Sequence, residues 1–96
     1  MSPDGVSARI QRRIARDFAT GEREQVERTL ASLLPSSDGS ARERMQSAVL
    51  IVAEGRMDRL EHQAREVDVD WRDVLMAADL GFDDWPMRVD AFLDEA

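Results

Sequence analysis

The sequence predicts an all-α protein: a single small domain over residues 1–96, built from five or six short helices packed as successive helical hairpins, an orthogonal bundle with the look of a short helical-repeat unit. Three observations carry this. Apolar residues recur at steps of three and four along the whole chain, strand-type alternation is nearly absent, and each periodic segment brings its own start and stop residues. A strict internal period of the kind that defines a repeat array is not visible. Ninety-six residues suffice for one core, burying roughly 60 to 65 % of the surface of the unfolded chain, and leave no room for a second domain.

The first helix is expected from Asp4 or Ser7 to Phe18, with Val6, Ile10, Ile14 and Phe18 at steps of four forming one apolar stripe. Gly21 interrupts it. The second, Glu22 to Leu34, places Val26, Leu30 and Leu33 inward and stops at Pro35, whose ring disfavours helical geometry in the residue before it. Pro35-Ser36-Ser37-Asp38-Gly39 is a turn by composition. Ser40-Ala41-Arg42-Glu43 is a capping box opening the third helix, which runs to Gly55. Met45, Ala48, Val49 and Val52 share one face while Leu50 and Ile51 point elsewhere, so this helix is expected at the centre. A buried strand through Val49 to Val52 is the competing reading.

The fourth helix starts at Asp58, with Glu61 completing a second box, carries Leu60, Ala64 and Val67 inward, and ends near Glu66 or Val67. In the fifth, Asp70 is the N-cap, Asp73 the third helical residue, Val69 a hydrophobic staple on Val74, and Gly81 the left-handed closing cap. Asp83 or Asp84 caps the sixth, with Pro86 in the first turn and Trp85, Val89, Phe92 and Leu93 facing inward. Four of the six aspartates between residues 68 and 86 therefore have a place beside the positive end of a helix dipole, leaving Asp68 and Asp79.

Composition narrows the function classes. The absence of cysteine excludes disulfides, thiolate zinc sites and thiol nucleophiles. No apolar stretch of signal-peptide length stands at the N-terminus, and the longest apolar run, Ala48 to Ala53, is too short to span a bilayer, so a cytoplasmic location is expected. Net charge is −7, distributed as +1, 0 and −8 over residues 1–34, 35–65 and 66–96. All thirteen basic residues are arginine, the mark of a genome rich in G and C.

Chemical motifs are sparse. Dinuclear metal sites in helical bundles need Glu-x-x-His pairs, whereas the single histidine, His62, has Arg59 three residues before it. Asp79, Asp83 and Asp84 lack the alternating ligands, central glycine and closing glutamate of a calcium loop. His62, among Glu61, Gln63, Arg65 and Glu66, reads as a solvated surface residue and not as the base of a triad. No phosphate-binding glycine loop is present. The expectation is no catalytic residue, no metal and no cofactor.

Two surfaces remain. Arg9, Arg12, Arg13 and Arg16 line one side of the first helix, where they could meet nucleic acid, or pair with the acidic last third within the chain or across a dimer. A reading helix made of Trp71 to Leu80, with one Arg and two Asp, would be a poor reader of base edges. That helix carries Trp71, Val74, Leu75 and Ala78 on one side and Met76, Ala77 and Leu80 on the other. Core packing is the plainer assignment for Trp71, while Met76 and Leu80 divide evenly between the core and an exposed patch. The stretch Met45 to Pro86, with Ala-Glu-Gly-Arg-Met-Asp-Arg-Leu followed by Asp-Trp-Arg-Asp-Val-Leu-Met-Ala-Ala-Asp-Leu, resembles small bacterial all-helical proteins of unknown function that carry an Asp-Trp-Arg-Asp-x-Leu-x-Ala-Ala segment. The resemblance implies an all-helical fold and a bacterial source, and supplies no activity.

The functional expectation is a non-enzymatic cytosolic protein-interaction module, self-associating as a homodimer through Arg9, Arg12, Arg13 and Arg16 or through Trp71, Met76 and Leu80. The alternatives are a regulator bound to nucleic acid through the arginines, an acidic inhibitor or immunity-type protein, and a small enzyme or ligand binder.

Overall fold

A computed structural model describes residues 6–33 and 39–95, and shows five helices and no strand among them. They are α1 (Ala8–Asp17), α2 (Thr20–Ala31), α3 (Gly39–Ala53), α4 (Met57–Ala77) and α5 (Trp85–Asp94). The expected all-α class is observed. α3 lies at the centre, packing on α4, α5 and α1; α2 packs on α1 and α4, and α5 returns to close against α1 as well as α3.

The central position of α3 follows from its sequence. Met45, Gln46, Ser47, Ala48, Val49 and Leu50 are buried in succession along the helical backbone of α3, so the helix is surrounded on all sides there. The segment expected as either helix or strand is therefore helix. Two polar residues come inside with it. Gln46 donates from Nε2 to the Leu30 carbonyl at 3.0 Å, whereas the fully buried Ser47 hydroxyl has no partner among the described residues. The stripe of α1 packs as expected, with Ile10, Ile14 and Phe18 in the core beside Val26, Leu30 and Leu33 of the α2 segment.

The start of α1 matches one of the two expected, and boundaries differ from expectation in five other places, each with a local cause. Ser7 is the cap of α1, accepting from the Ile10 N–H at 3.3 Å. The α1–α2 break falls at Phe18 and Ala19, which are extended, and Gly21 lies inside α2. Arg23 seals this corner by donating to the carbonyls of Ala15 (2.8 Å) and Phe18 (3.2 Å), satisfying acceptors that the end of α1 leaves open. α4 is capped at Arg56 and not Asp58, which sits in the first turn and accepts from the Arg56 guanidinium, while Glu61 accepts from Gln25. α4 consists of the expected fourth and fifth helices meeting at a kink, non-helical only at Asp70 (φ −156°, ψ 93°), and the first of the two runs on to Val69 instead of ending near Glu66 or Val67. No glycine or proline between residues 57 and 80 stops the helix earlier. Asp70 still does the work of a cap, its Oδ1 accepting from the Arg72 N–H at 3.1 Å. The staple expected from Val69 is absent, for Val69 is open to solvent.

The fourth difference is at the end of α4. Leu80 N–H donates to the Leu75 carbonyl (2.8 Å) and Asp79 N–H to that of Met76 (3.1 Å), a Schellman arrangement with Leu75 and Leu80 both buried. The left-handed residue is Asp79 (φ 61°), not Gly81. A Cβ at Gly81 would stand 2.5 Å from Met76 Sδ, the far end of an exposed, flexible side chain that can move aside. The fifth is at the start of α3, which begins at Gly39, so Ser40 lies inside the helix and not at its cap, and Glu43 of the expected box accepts from Ser7 Oγ at 2.8 Å. Residues 34–38 of the turn and a helix start at Asp4 lie outside the described residues.

Candidate protein-docking surface

The four arginines of α1 do not form a free basic face. Arg9 donates from Nη2 to Asp90 Oδ1 at 2.7 Å and lies 3.8 Å from Glu43. Its hydrogen bond to Asp90 is the main reason that its proton is held more tightly than usual. Arg16 reaches the Glu95 carbonyl at 3.0 Å. Arg13 is the most enclosed of the set: it pairs with Asp17 at 3.0 Å and Glu95 at 3.1 Å, donates to the Phe92 carbonyl at 2.7 Å, and stacks its guanidinium 3.9 Å from the centroid of the Phe92 ring. Three of the four thus clamp α1 to α5, joining the first and last thirds of the chain whose opposite charge balance the sequence displays. Arg12 is exposed and has no carboxylate partner among the described residues.

Of the apolar candidates, Leu80 is fully buried and belongs to the core. Its carbonyl is gripped by Arg44 through Nε (2.9 Å) and Nη2 (2.7 Å), and the Arg44 guanidinium lies 4.8 Å from the Trp85 ring centroid. This grip anchors the segment between α4 and α5 to the central helix. Trp71, for which core packing was the plainer assignment, is instead open to solvent, because the kink at Asp70 places it at the first turn of a new helical direction. Arg72 lies over its ring.

The large apolar side chains exposed among the described residues are Val69, Trp71, Met76, Phe82 and Met87, between 43 and 78 % accessible. Every one of them lies within residues 69–87. Phe82, Asp83, Asp84 and Trp85 form a tight turn closed by a Trp85 N–H to Phe82 carbonyl bond of 3.0 Å, so the chain turns back sharply where Phe82 stands out. Met76 touches Gly81 beside it, and Met87 projects from the first turn of α5. A shallow, open depression of about 540 Å³ lined by Gly81, Phe82, Asp83, Asp84 and Arg88 lies at this turn. Acids are interspersed: Asp68, Asp70, Asp73, Asp79 and Asp83 are exposed and have no arginine within ion-pair distance among the described residues, although Asp79 acts on Arg88 from farther away. The Asp84 carboxylate is occupied by Arg88 at 2.8 Å. Periodicity could not find this surface, since a kinked helix and a turn have no single period, but the density of Trp, Phe and Met around Gly81 was a compositional signal.

Elsewhere the surface is polar. A notch of about 360 Å³ contains Val52, Asp58, Arg59, His62 and Gln63, but no hydrogen bond ties His62 to a carboxylate among the described residues. A broader one of about 630 Å³ runs along α2 at Gly21, Glu24, Gln25, Arg28, Thr29 and Ser32. Among the described residues no group of three or more His, Asp or Glu side chains is placed to hold a metal ion, and no helix is long and apolar enough to cross a membrane. Comparison with protein-family models, with curated proteins and with solved structures gives no match for this chain.

Proposed function

We propose that this protein acts by binding another protein, through the surface that residues 69–87 form at the kink of α4 and at the turn between α4 and α5. The observation that carries the reading is the confinement of all five exposed large apolar side chains to this one stretch, while the rest of the described chain keeps its large apolar side chains sheltered. Scattered exposed leucines or valines are ordinary, but a concentration of Trp, Phe and Met is the composition of an interface centre. The arginines of α1 are poor support for the nucleic-acid alternative, because three of them already have carboxylate partners within the chain. A phosphate backbone would have to displace those partners and would meet the acids of α5 beside them.

The test is a paired capture from the cells that make the protein, using the wild type and a Phe82→Ser, Met87→Ser variant of unchanged fold. A partner retained by the wild type and lost from the variant supports the reading. Identical partners on both, with none lost, refute it. Light scattering at low and high salt on the same two proteins reports whether any contact through this face is with a second copy.

A further inference from the structure

We infer that α5 is a latched strap: it swings away from the bundle as one unit on the turn of residues 81–84, while α1 to α4 stay folded, and Arg13 is the latch that holds it shut. The first support is where the core comes from. Every buried apolar side chain among the described residues, except Val89 and Leu93, belongs to residues 10–80, and Trp85 and Phe92 are only partly buried. α5 packs chiefly on α3 and α1, and no further helix follows it among the described residues. Its departure therefore withdraws two buried side chains from one side, while the contacts of α3 with α4 and α1, and of α2 with α1 and α4, remain.

The second support is that much of what holds α5 closed is polar. Arg13, steadied by Asp17 on its own helix, donates to the Phe92 carbonyl at 2.7 Å and lies over the Phe92 ring. Arg9 reaches Asp90 and Arg16 reaches Glu95, but these carboxylates are open to water, where ion pairs contribute little and salt screens them. The enclosed contact is that of Arg13, which makes it the latch. At the other end of the strap, Arg44 fixes the Leu80 carbonyl immediately before the turn, so the chain is anchored up to that residue. Gly81, Phe82 and Asp83 beyond it are exposed, and a short exposed segment between an anchored residue and a helix is where a swing is absorbed. The stack of Arg44 on Trp85 parts as α5 leaves. Opening uncovers the strip of α3 and α1 beneath Val89 and Leu93, an apolar surface that the closed chain does not display.

The experiment is native-state amide hydrogen exchange of the full chain, read residue by residue by NMR. The amides of Val89 to Asp94 should be protected relative to an unstructured chain, and should exchange as a group about tenfold or more faster than those of Ala48 to Ala53 in α3. In low urea their protection should fall with a shallower slope than that of α3, because opening a strap exposes less surface than unfolding the chain. Val26→Ala, in α2, which packs on α1 and α4, should lower the protection of α3 by about tenfold and leave that of α5 unchanged. Arg13→Met should lower both by about tenfold or more, since the latch is lost in either opening, and Arg12→Met should lower neither. Equal protection and equal urea slopes for α5 and α3 overturn the inference, because α5 would then leave only with the whole fold. A fall of α5 in step with α3 in Val26→Ala overturns it for the same reason, and if that variant does not fold the urea slopes decide. Absence of protection in α5 overturns it because nothing would be latched. Wild-type protection of α5 in Arg13→Met overturns Arg13 as the latch.

Discussion

Replacing Arg13 with methionine keeps the aliphatic stem and removes the guanidinium from the place where α1, α5 and the C-terminal turn meet. Four interactions go with it, the ion pair with the exposed Glu95 at 3.1 Å being the weakest. The Phe92 carbonyl loses a charged donor at 2.7 Å, the Asp17 carboxylate, whose side chain is only 15 % accessible, loses its partner at 3.0 Å, and the Phe92 ring loses a stacked cation at 3.9 Å. A hydrogen bond to a charged group contributes about 1.5 to 3 kcal/mol and a cation over an aromatic ring about 0.5 to 1, part of which the apolar contacts of methionine restore. The net loss should be about 2 to 3 kcal/mol, a large share of the roughly 5 to 14 kcal/mol expected for a chain of this size. Urea unfolding followed by far-ultraviolet circular dichroism should show the midpoint falling by about 2 to 3 M if the slope is near 1 kcal/mol per M. Arg12→Met, on the same helix but with an exposed and unpartnered side chain, should stay within about 0.5 kcal/mol of wild type. A loss at Arg13 no larger than that at Arg12 would refute the clamp between α1 and α5 as a source of stability. High salt should leave the Arg13 difference nearly intact, because its side chain is only 12 % accessible and is shielded from counterions.

Other substitutions probe the turns and the core. Gly55→Ala places a Cβ 2.8 Å from the Asp17 carbonyl at a residue with φ +76°, so a loss of about 2 kcal/mol and a fall in Tm of roughly 8 to 16 °C are expected by calorimetry. Ser47→Ala removes a buried hydroxyl that has no partner among the described residues and should raise stability by about 0.5 to 1 kcal/mol, measured by the same urea titration; a loss would show that the hydroxyl is satisfied in solution. Desolvation opposes ionisation of Asp58, but the Arg56 guanidinium and the amides of the first turn outweigh it and hold the carboxyl below the ordinary aspartate range. A carboxyl lowered in the folded state adds stability above its unfolded pKa and loses it as pH falls through the folded value, so Arg56→Gln should move the Asp58 midpoint upward in a carbon-detected NMR titration.

The fold was largely readable because its signals are local and agree with one another. Steps of three and four marked Ile10, Ile14, Val26, Leu30, Leu60 and Val67 for the core, and all are buried. The continuous apolar character of Met45 to Ala53 marked α3 as the centre. What the residues could not reveal was decided by tertiary partners. Arg23 closes α1 from the following helix, Asp79 takes the left-handed position that a glycine two residues later advertises, and Arg9, Arg13 and Arg16 find their carboxylates about eighty residues away. The same holds for the candidate site. Met76 and Leu80 were indistinguishable by spacing, and the Schellman turn separates them by rotating Leu80 into the core and leaving Met76 outside.

The hold of Arg44 on the Leu80 carbonyl has a further consequence, because the same guanidinium rests against Trp85. An indole beneath a cation is sensitive to the distance between them, and Trp85 is half-buried directly after the turn that carries Phe82. The chain therefore contains its own optical probe for events at that corner. In a Trp71→Phe background, the emission of the remaining indole would report any displacement of the turn without an attached dye.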